Sequence, residues 1–199
     1  TIQVGAEIFG DSSKDAELES VNLMLKSLEI AGIKNITLSL GHAAFTSSVL
    51  EPFKKLGREL FADLEIALSK KSKSDLDKII PDSYENKQSL ISLCDMYGEI
   101  DIIQSAKERF SYLETTQNFM DDLLVLADKL INKSGLILHV DLGEVQGFKY
   151  HNGVVFSAYA DSAGYVLAKG GRYDGLRKQS DRDRPAVGFD LDLVSVSNL

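Results

Sequence analysis

The apolar residues of this chain change period twice, and that change limits the folds open to it. Near the start, residues 2 to 8 alternate, with Val4, Ala6 and Ile8 on one face and Gln3, Gly5 and Glu7 on the other. From about residue 43 to 134 the spacing becomes helical: Phe53, Leu56, Leu60, Leu64, Ala67 and Leu68 form one stripe, and Phe119, Leu123, Leu126 and Leu130 another. After Gly135 alternation returns in "LILHVDLG", "YHNGVVFSAYA", "YVLAKG" and "RPAVGFDLDLVSV". A strand, a helix (Leu18, Val21, Leu25 and Leu28, ended by Gly32) and a second strand over 35–40, broken by Gly41, precede the helical block.

This order predicts an α+β domain with a mainly antiparallel sheet flanked by helices. The core comprises residues 1–50 and 135–199, and a helical insertion without strand signals occupies 51–134. "DSAG" turns one late strand into the next as a hairpin. Pro52 and Pro81 fit helix edges, and Gly98 splits two helices. The opening "TIQVGAEIFG" starts within a strand and lacks an initiating methionine, so upstream residues are expected in the natural protein.

With 199 residues, 44% hydrophobic and 26% charged, the chain reads as one large domain, or one domain with an inserted subdomain, and not as a disordered segment. A net charge of −8 supplies no excess of cations for broad contact with phosphate backbones. No apolar run approaches the roughly 18 residues of a membrane span. The single cysteine, Cys94, lies in the apolar run "LISLCDMY" and reads as a buried thiol in a cytosolic protein.

Polar residues stand out at three places. Gln3 and Glu7 share a strand face with Gly5 between them, which either leaves room for a ligand's ammonium group or is a solvated face with a twist-relieving glycine. Gly170 and Gly171 precede Arg172 and Tyr173 and mark either a close backbone approach or a turn. Lys70, Lys71 and Lys73 read as a solvated turn, with a partner contact as the alternative. His42, His139 and His151 are not at metal-ligand spacing, no phosphate loop is readable, and no cofactor is expected.

Taken together, "QVGAEIFG", "GEVQGFKYHNGVVF", "AKGGRYDGL" and "RPAVGFDLDL" resemble the catalytic core of histidyl-tRNA synthetases, a class II aminoacyl-tRNA synthetase fold. The chain is still more similar to the regulatory subunits of ATP phosphoribosyltransferase, paralogues that have lost aminoacylation. The resemblance implies a non-catalytic regulator in histidine biosynthesis that is cytoplasmic and self-associating. It would activate a short-form catalytic subunit and bind histidine for feedback inhibition. It implies a histidine pocket made by Gln3, Glu7, Tyr150, His151, Arg172 and Tyr173, with close backbone approach at Gly5, Gly147, Gly170 and Gly171. tRNA is not an expected partner. An active synthetase core is the alternative.

Two departures separate the chain from the synthetases it resembles. Gln146 stands where they carry an arginine, and in the same run Lys149 and His151 replace an acid and a tyrosine. Ser195 stands where an ATP-stacking arginine is expected, with Asp190 and Asp192 adding negative charge nearby. A glutamine offers a hydrogen bond but no charge, and losing one such interaction costs roughly 3–4 kcal/mol of barrier.

Overall fold

One seven-stranded sheet organises the computed structural model, in the order β1-β7-β6-β5-β2-β4-β3. The structure describes residues 2–145, 150–161, 163–175 and 184–199. The strands are β1 (Gln3–Phe9), β2 (Ile36–His42), β3 (Tyr97–Gly98), β4 (Leu136–Asp141), β5 (Val154–Ala160), β6 (Ala168–Arg172) and β7 (Ala186–Asp192). Every adjacent pair is antiparallel except β2 with β4. The helical stretch between those two strands allows that parallel return, which a hairpin cannot make.

Helix α1 (Lys14–Ile30) begins where the Ser13 hydroxyl accepts from Ala16 N–H at 3.3 Å, and Asp15 and Glu17 sit in its first turn. Gly32, at φ +88°, takes the left-handed conformation just past its end. Val21, Met24 and Leu28 of α1 pack into the core with Leu38 and Leu40 of β2. The strand stretch expected to stop at Gly41 continues through it to His42, because both flanks of Gly41 pair with β5.

The segment between β2 and β4 is mostly helical, in short pieces: α2 (Ala43–Lys54), α3 (Arg58–Ser69), α4 (Lys73–Ile79), α5 (Lys87–Ser92), a 3-10 turn (Leu93–Asp95), α6 (Ile102–Arg109) and α7 (Thr116–Leu130). Two local expectations change here. Pro52 lies inside the last turn of α2, not at its edge. Gly98 does not separate two helices directly; it belongs to β3, which pairs with Val140 and Asp141 at the end of β4. Two residues of strand carry too little period-two signal to be read. Helix α7 lays Met120, Leu123, Leu126 and Leu130 against the core, and burial of each such leucine stabilises by about 1.5–3 kcal/mol. Cys94 is buried in the same layer, and burial pushes its thiol above the ordinary range.

Strand β7 ends in α8 (Leu193–Ser197), whose first turn is capped by the Asp192 carboxylate accepting from Val194 N–H and Ser195 N–H. Among the described residues, strand β1 pairs only with β7, and it is more exposed than its alternation suggested: Val4 is half exposed, while Ala6 and Ile8 are partly buried. Among the described residues, no helix is long and apolar enough to cross a membrane.

Candidate functional site

The register lines up one row of residues across the open face of the sheet. Glu7 pairs with Gly188, Gly188 with Gly171, Gly171 with Val155, and Val155 with Gly41. Asp141 of β4 lies next, its carbonyl 2.8 Å from where a Cβ on Gly41 would stand. Directly paired residues share a sheet face, so this row carries a carboxylate at each end and no side chain at three places between them.

The glycines are there because the sheet leaves no room for more. A Cβ on Gly188 would meet Ala6 O at 2.7 Å, and one on Gly171 would meet His151 Cδ2 at 2.6 Å and Val154 O at 2.9 Å. At Gly170 the obstacle is Gly188 O at 2.2 Å, and at Gly5 it is Phe189 O at 2.2 Å. These are close backbone approaches within strands, not turns.

Above the glycine row lies a cleft of about 710 Å³. Glu7, Asp190, Asp141 and Glu144 line it with four carboxylates, and Lys169 is its one lysine among the described residues. Tyr150, His151 and Tyr173 form a wall, and Ser39, Ser157 and Tyr159 continue the floor. The His151 and Tyr173 rings meet edge to face, with centroids 6.2 Å apart at 83°. Burial, with the negative charges of Glu144 and Asp141, pushes the Tyr159 phenol above its ordinary range. It therefore remains a neutral hydroxyl at working pH. A lining of this kind attracts an ammonium or imidazolium group and repels a polyphosphate.

The residues singled out in the sequence divide into those at the cleft and those away from it. Glu7, Tyr150, His151, Gly170 and Tyr173 line it. Gly171 lies in its floor row. Gln3 sits two rows further along β1, where its Nε2 donates to Asp190 Oδ1 at 3.0 Å, leaving its amide oxygen as the acceptor. Gly5 faces Asp190 across the strands. Gly147, like Gln146 and Lys149, lies outside the described residues.

Arg172 requires a correction: it points away from the cleft. Its neighbour Gly171 faces the cleft, so strand alternation turns Arg172 to the helix side. There Nε donates to Glu17 Oε1 of α1 at 2.6 Å, and the terminal nitrogens donate to Ser13 O and Asp11 O. Burial opposes the charge, but the hydrogen bond and charge of Glu17 outweigh it and hold the guanidinium above its ordinary pKa.

Sequence reading missed Asp141, Glu144, Tyr159, Lys169 and the floor glycines Gly41 and Gly188, because each is brought in by pairing between distant strands. Lys71 was also misread in part, since it pairs with Asp141 and is partly buried, whereas Lys73 is exposed and pairs with Asp95 at the surface. Among the described residues, no group of three or more His, Cys, Asp and Glu side chains is placed to hold a metal ion.

A mainly antiparallel sheet with an open acidic floor, backed by helices on its other face, gives this domain a class II aminoacyl-tRNA synthetase-like fold. Crystallised histidyl-tRNA synthetase from Nostoc sp. PCC 7120 shares it at a TM-score of 0.75 and 17% identity, over 98% of this chain and 49% of that one. The chain belongs to the histidyl-tRNA synthetase family, whose profile matches residues 1–196.

Relatives carry a more particular name. A protein of Burkholderia cenocepacia (strain HI2424), called ATP phosphoribosyltransferase regulatory subunit, is 35% identical over all 199 residues. One of Ralstonia pickettii (strain 12J), with the same name, is 34% identical. This chain spans about half the length of these relatives, 51% and 50% respectively. A solved "ATP phosphoribosyltransferase regulatory subunit/histidyl-tRNA synthetase" from Bacillus halodurans C superposes with a TM-score of 0.82 at 27% identity, over 98% of this chain and 52% of that one. The ATP phosphoribosyl transferase (HisG:HisZ) complex from Thermotoga maritima contains a chain matching at a TM-score of 0.71 and 17% identity, over 95% of this chain and 65% of that one.

Proposed function

We propose that this chain is part of a regulatory subunit of ATP phosphoribosyltransferase that binds free histidine in the cleft and does not activate it. The names of the relatives at 34–35% identity support the assignment. The observation that carries the ligand is the lining, with four carboxylates against one lysine among the described residues, above a glycine floor.

Histidine fits one end of the cleft. From Glu7 to Gly171 is two strand spacings, about 10 Å. The amino nitrogen and far ring nitrogen of histidine lie at most about 7 Å apart through their bonds. In this pose the ammonium group sits on Glu7, with the Gln3 amide oxygen and Asp190 nearby. The imidazole points from Glu7 toward His151 and Tyr173. The Glu7 stem packs on Gly188 and the His151 ring on Gly171, so the two glycines let these ligand-facing side chains lie close to the floor.

The same lining disfavours adenylation. Attack of a carboxylate on the α-phosphate of ATP builds negative charge that needs fixed cations. Asp190 occupies the cleft at the Glu7 end, and Ser195 in α8 offers no charge. A pocket that grips the end product without activating it suits a feedback sensor. In this reading the subunit works in the cytoplasm with a short-form catalytic subunit, activates it, and self-associates. Histidine then acts by binding the two assembly states with different affinities.

The test mixes the full-length protein with the short-form catalytic subunit and follows phosphoribosyl transfer with and without histidine. The proposal expects complex formation, higher activity than the catalytic subunit alone, and inhibition by histidine. No complex and no change in activity overturn the regulatory role. Histidine-dependent ATP–pyrophosphate exchange by the full-length protein would instead assign it as an active synthetase.

A further inference from the structure

We propose that Asn152 is a positioning residue for the imidazole end of the cleft, and that its side-chain amide sets the spacing between the His151 and Tyr173 rings. The inference rests on the histidine-binding reading above and deepens it by naming what shapes the ring subsite. His151 lies just before β5, and Tyr173 lies just past the end of β6. Both rings line the cleft, and their centroids stand 6.2 Å apart in an edge-to-face contact. Asn152 does not itself line it.

Asn152 couples the two backbone segments that carry the rings. Its Oδ1 accepts from Asp174 N–H at 3.0 Å, and its Nδ2 donates to Asp174 O at 2.8 Å. Its own N–H donates to Arg172 O at 3.0 Å. These bonds fall on both sides of Tyr173. A side-chain amide presents a donor and an acceptor in one plane, as a backbone unit does. Here it adds a rung beyond the paired stretch of β5 and β6, which ends at Val155 with Gly171.

Each segment also has an anchor of its own. Gly153 O accepts from Ala43 N–H at 2.9 Å, which ties the His151 side to the start of α2. A Cβ on Gly153 would stand 2.9 Å from Arg172 Cβ, so this segment lies directly on the arginine stem. On the other side, Tyr173 N–H donates to Ala186 O at 2.9 Å, and the Asp174 carboxylate accepts from Ala186 N–H at 2.8 Å. The His151 ring rests on Gly171, so a shift of its backbone changes its tilt against Tyr173. A flat ligand ring gains from edge and face contacts only where the wall rings hold their distance. Asn152 is exposed, so its truncation leaves the core packing in place.

Titration calorimetry of histidine into the full-length protein tests this, using Asn152→Ala, Asn152→Asp, Tyr173→Ala and the Asn152→Ala/Tyr173→Ala pair. Asn152→Ala is expected to bind about fivefold to tenfold more weakly, the size of one or two lost hydrogen bonds. Asn152→Asp keeps the shape but sets a carboxylate oxygen against Asp174 O, and should bind no better than Asn152→Ala. In the Tyr173→Ala background, Asn152→Ala should change affinity by less than about twofold, because the amide acts through the ring it spaces. Hydrogen exchange on the unaltered protein needs no variant to fold: histidine should slow exchange of the Asp174 amide, which donates to Asn152. Parent-like affinity in Asn152→Ala or Asn152→Asp, an undiminished further loss in the Tyr173→Ala background, or unchanged exchange at Asp174 overturns the inference. Failure of the unaltered protein to bind histidine overturns the binding reading, and this inference with it.

Discussion

Arg172 Nε lies 2.6 Å from Glu17 Oε1, with the two side chains 7% and 1% exposed. This buried pair joins the β6 strand to α1, and the same guanidinium reaches the Asp11 and Ser13 carbonyls that lead into that helix. A shielded pair of this kind constrains its surroundings strongly once formed, whatever its net contribution to stability.

Removing one partner leaves the other charged and buried. Glu17→Gln or Arg172→Met is therefore expected to destabilise by about 3–5 kcal/mol, read from urea unfolding midpoints. Replacing both residues with apolar ones should recover a large part of that loss. A double variant as unstable as the worse single one would contradict the account of the pair.

The floor glycines give a prediction about space. Gly171→Ala places a methyl group 2.6 Å from His151 Cδ2, whose ring can rotate away, and 2.9 Å from Val154 O, which cannot. Overpacking of this kind costs about 1–3 kcal/mol, and the displaced His151 ring would narrow the cleft. Thermal unfolding should show the modest stability loss, and calorimetry a larger proportional loss of histidine affinity. Undiminished affinity would mean that the floor there is not used.

Asp122 supplies a prediction about acid stability. Partial burial raises its pKa, but the His42 imidazole 3.6 Å away and the Lys14 ammonium at 2.8 Å outweigh that and leave it below the ordinary carboxylate value. A depressed folded-state pKa contributes stability that is present above the unfolded value, about 3.9, and lost as pH falls through the folded value. Asp122→Asn should therefore be less stable than the parent chain at neutral pH. The gap should close as pH drops below 4. A gap that is constant with pH would show that the carboxylate charge is not what matters.

The parts of the fold carried by long periodic runs were legible in the sequence. The switch from alternation to helical spacing and back separated the strands of the sheet from the helices between β2 and β4, and Ser13 and Gly32 marked the ends of α1. Local chemistry also exposed half the candidate site, since Glu7 and the Gly170–Gly171 pair break the pattern of an ordinary core strand. The rest depends on register. Gly188 and Gly41 are unremarkable in their own segments and become floor residues only when β7, β6, β5 and β2 pair in sequence-distant order. Arg172 was misplaced because a one-residue step along a strand reverses its face. Lys71 looked like part of a solvated cluster because its partner Asp141 is 70 residues away.

Binding of histidine to this chain is the central claim, and calorimetry with the parent and Glu7→Gln forms tests it most directly. The account predicts saturable binding of L-histidine by the parent chain, at least tenfold weaker binding when the carboxylate becomes an amide, and no competition from ATP. No heat of binding at millimolar histidine, or equal affinity in the two forms, would contradict it.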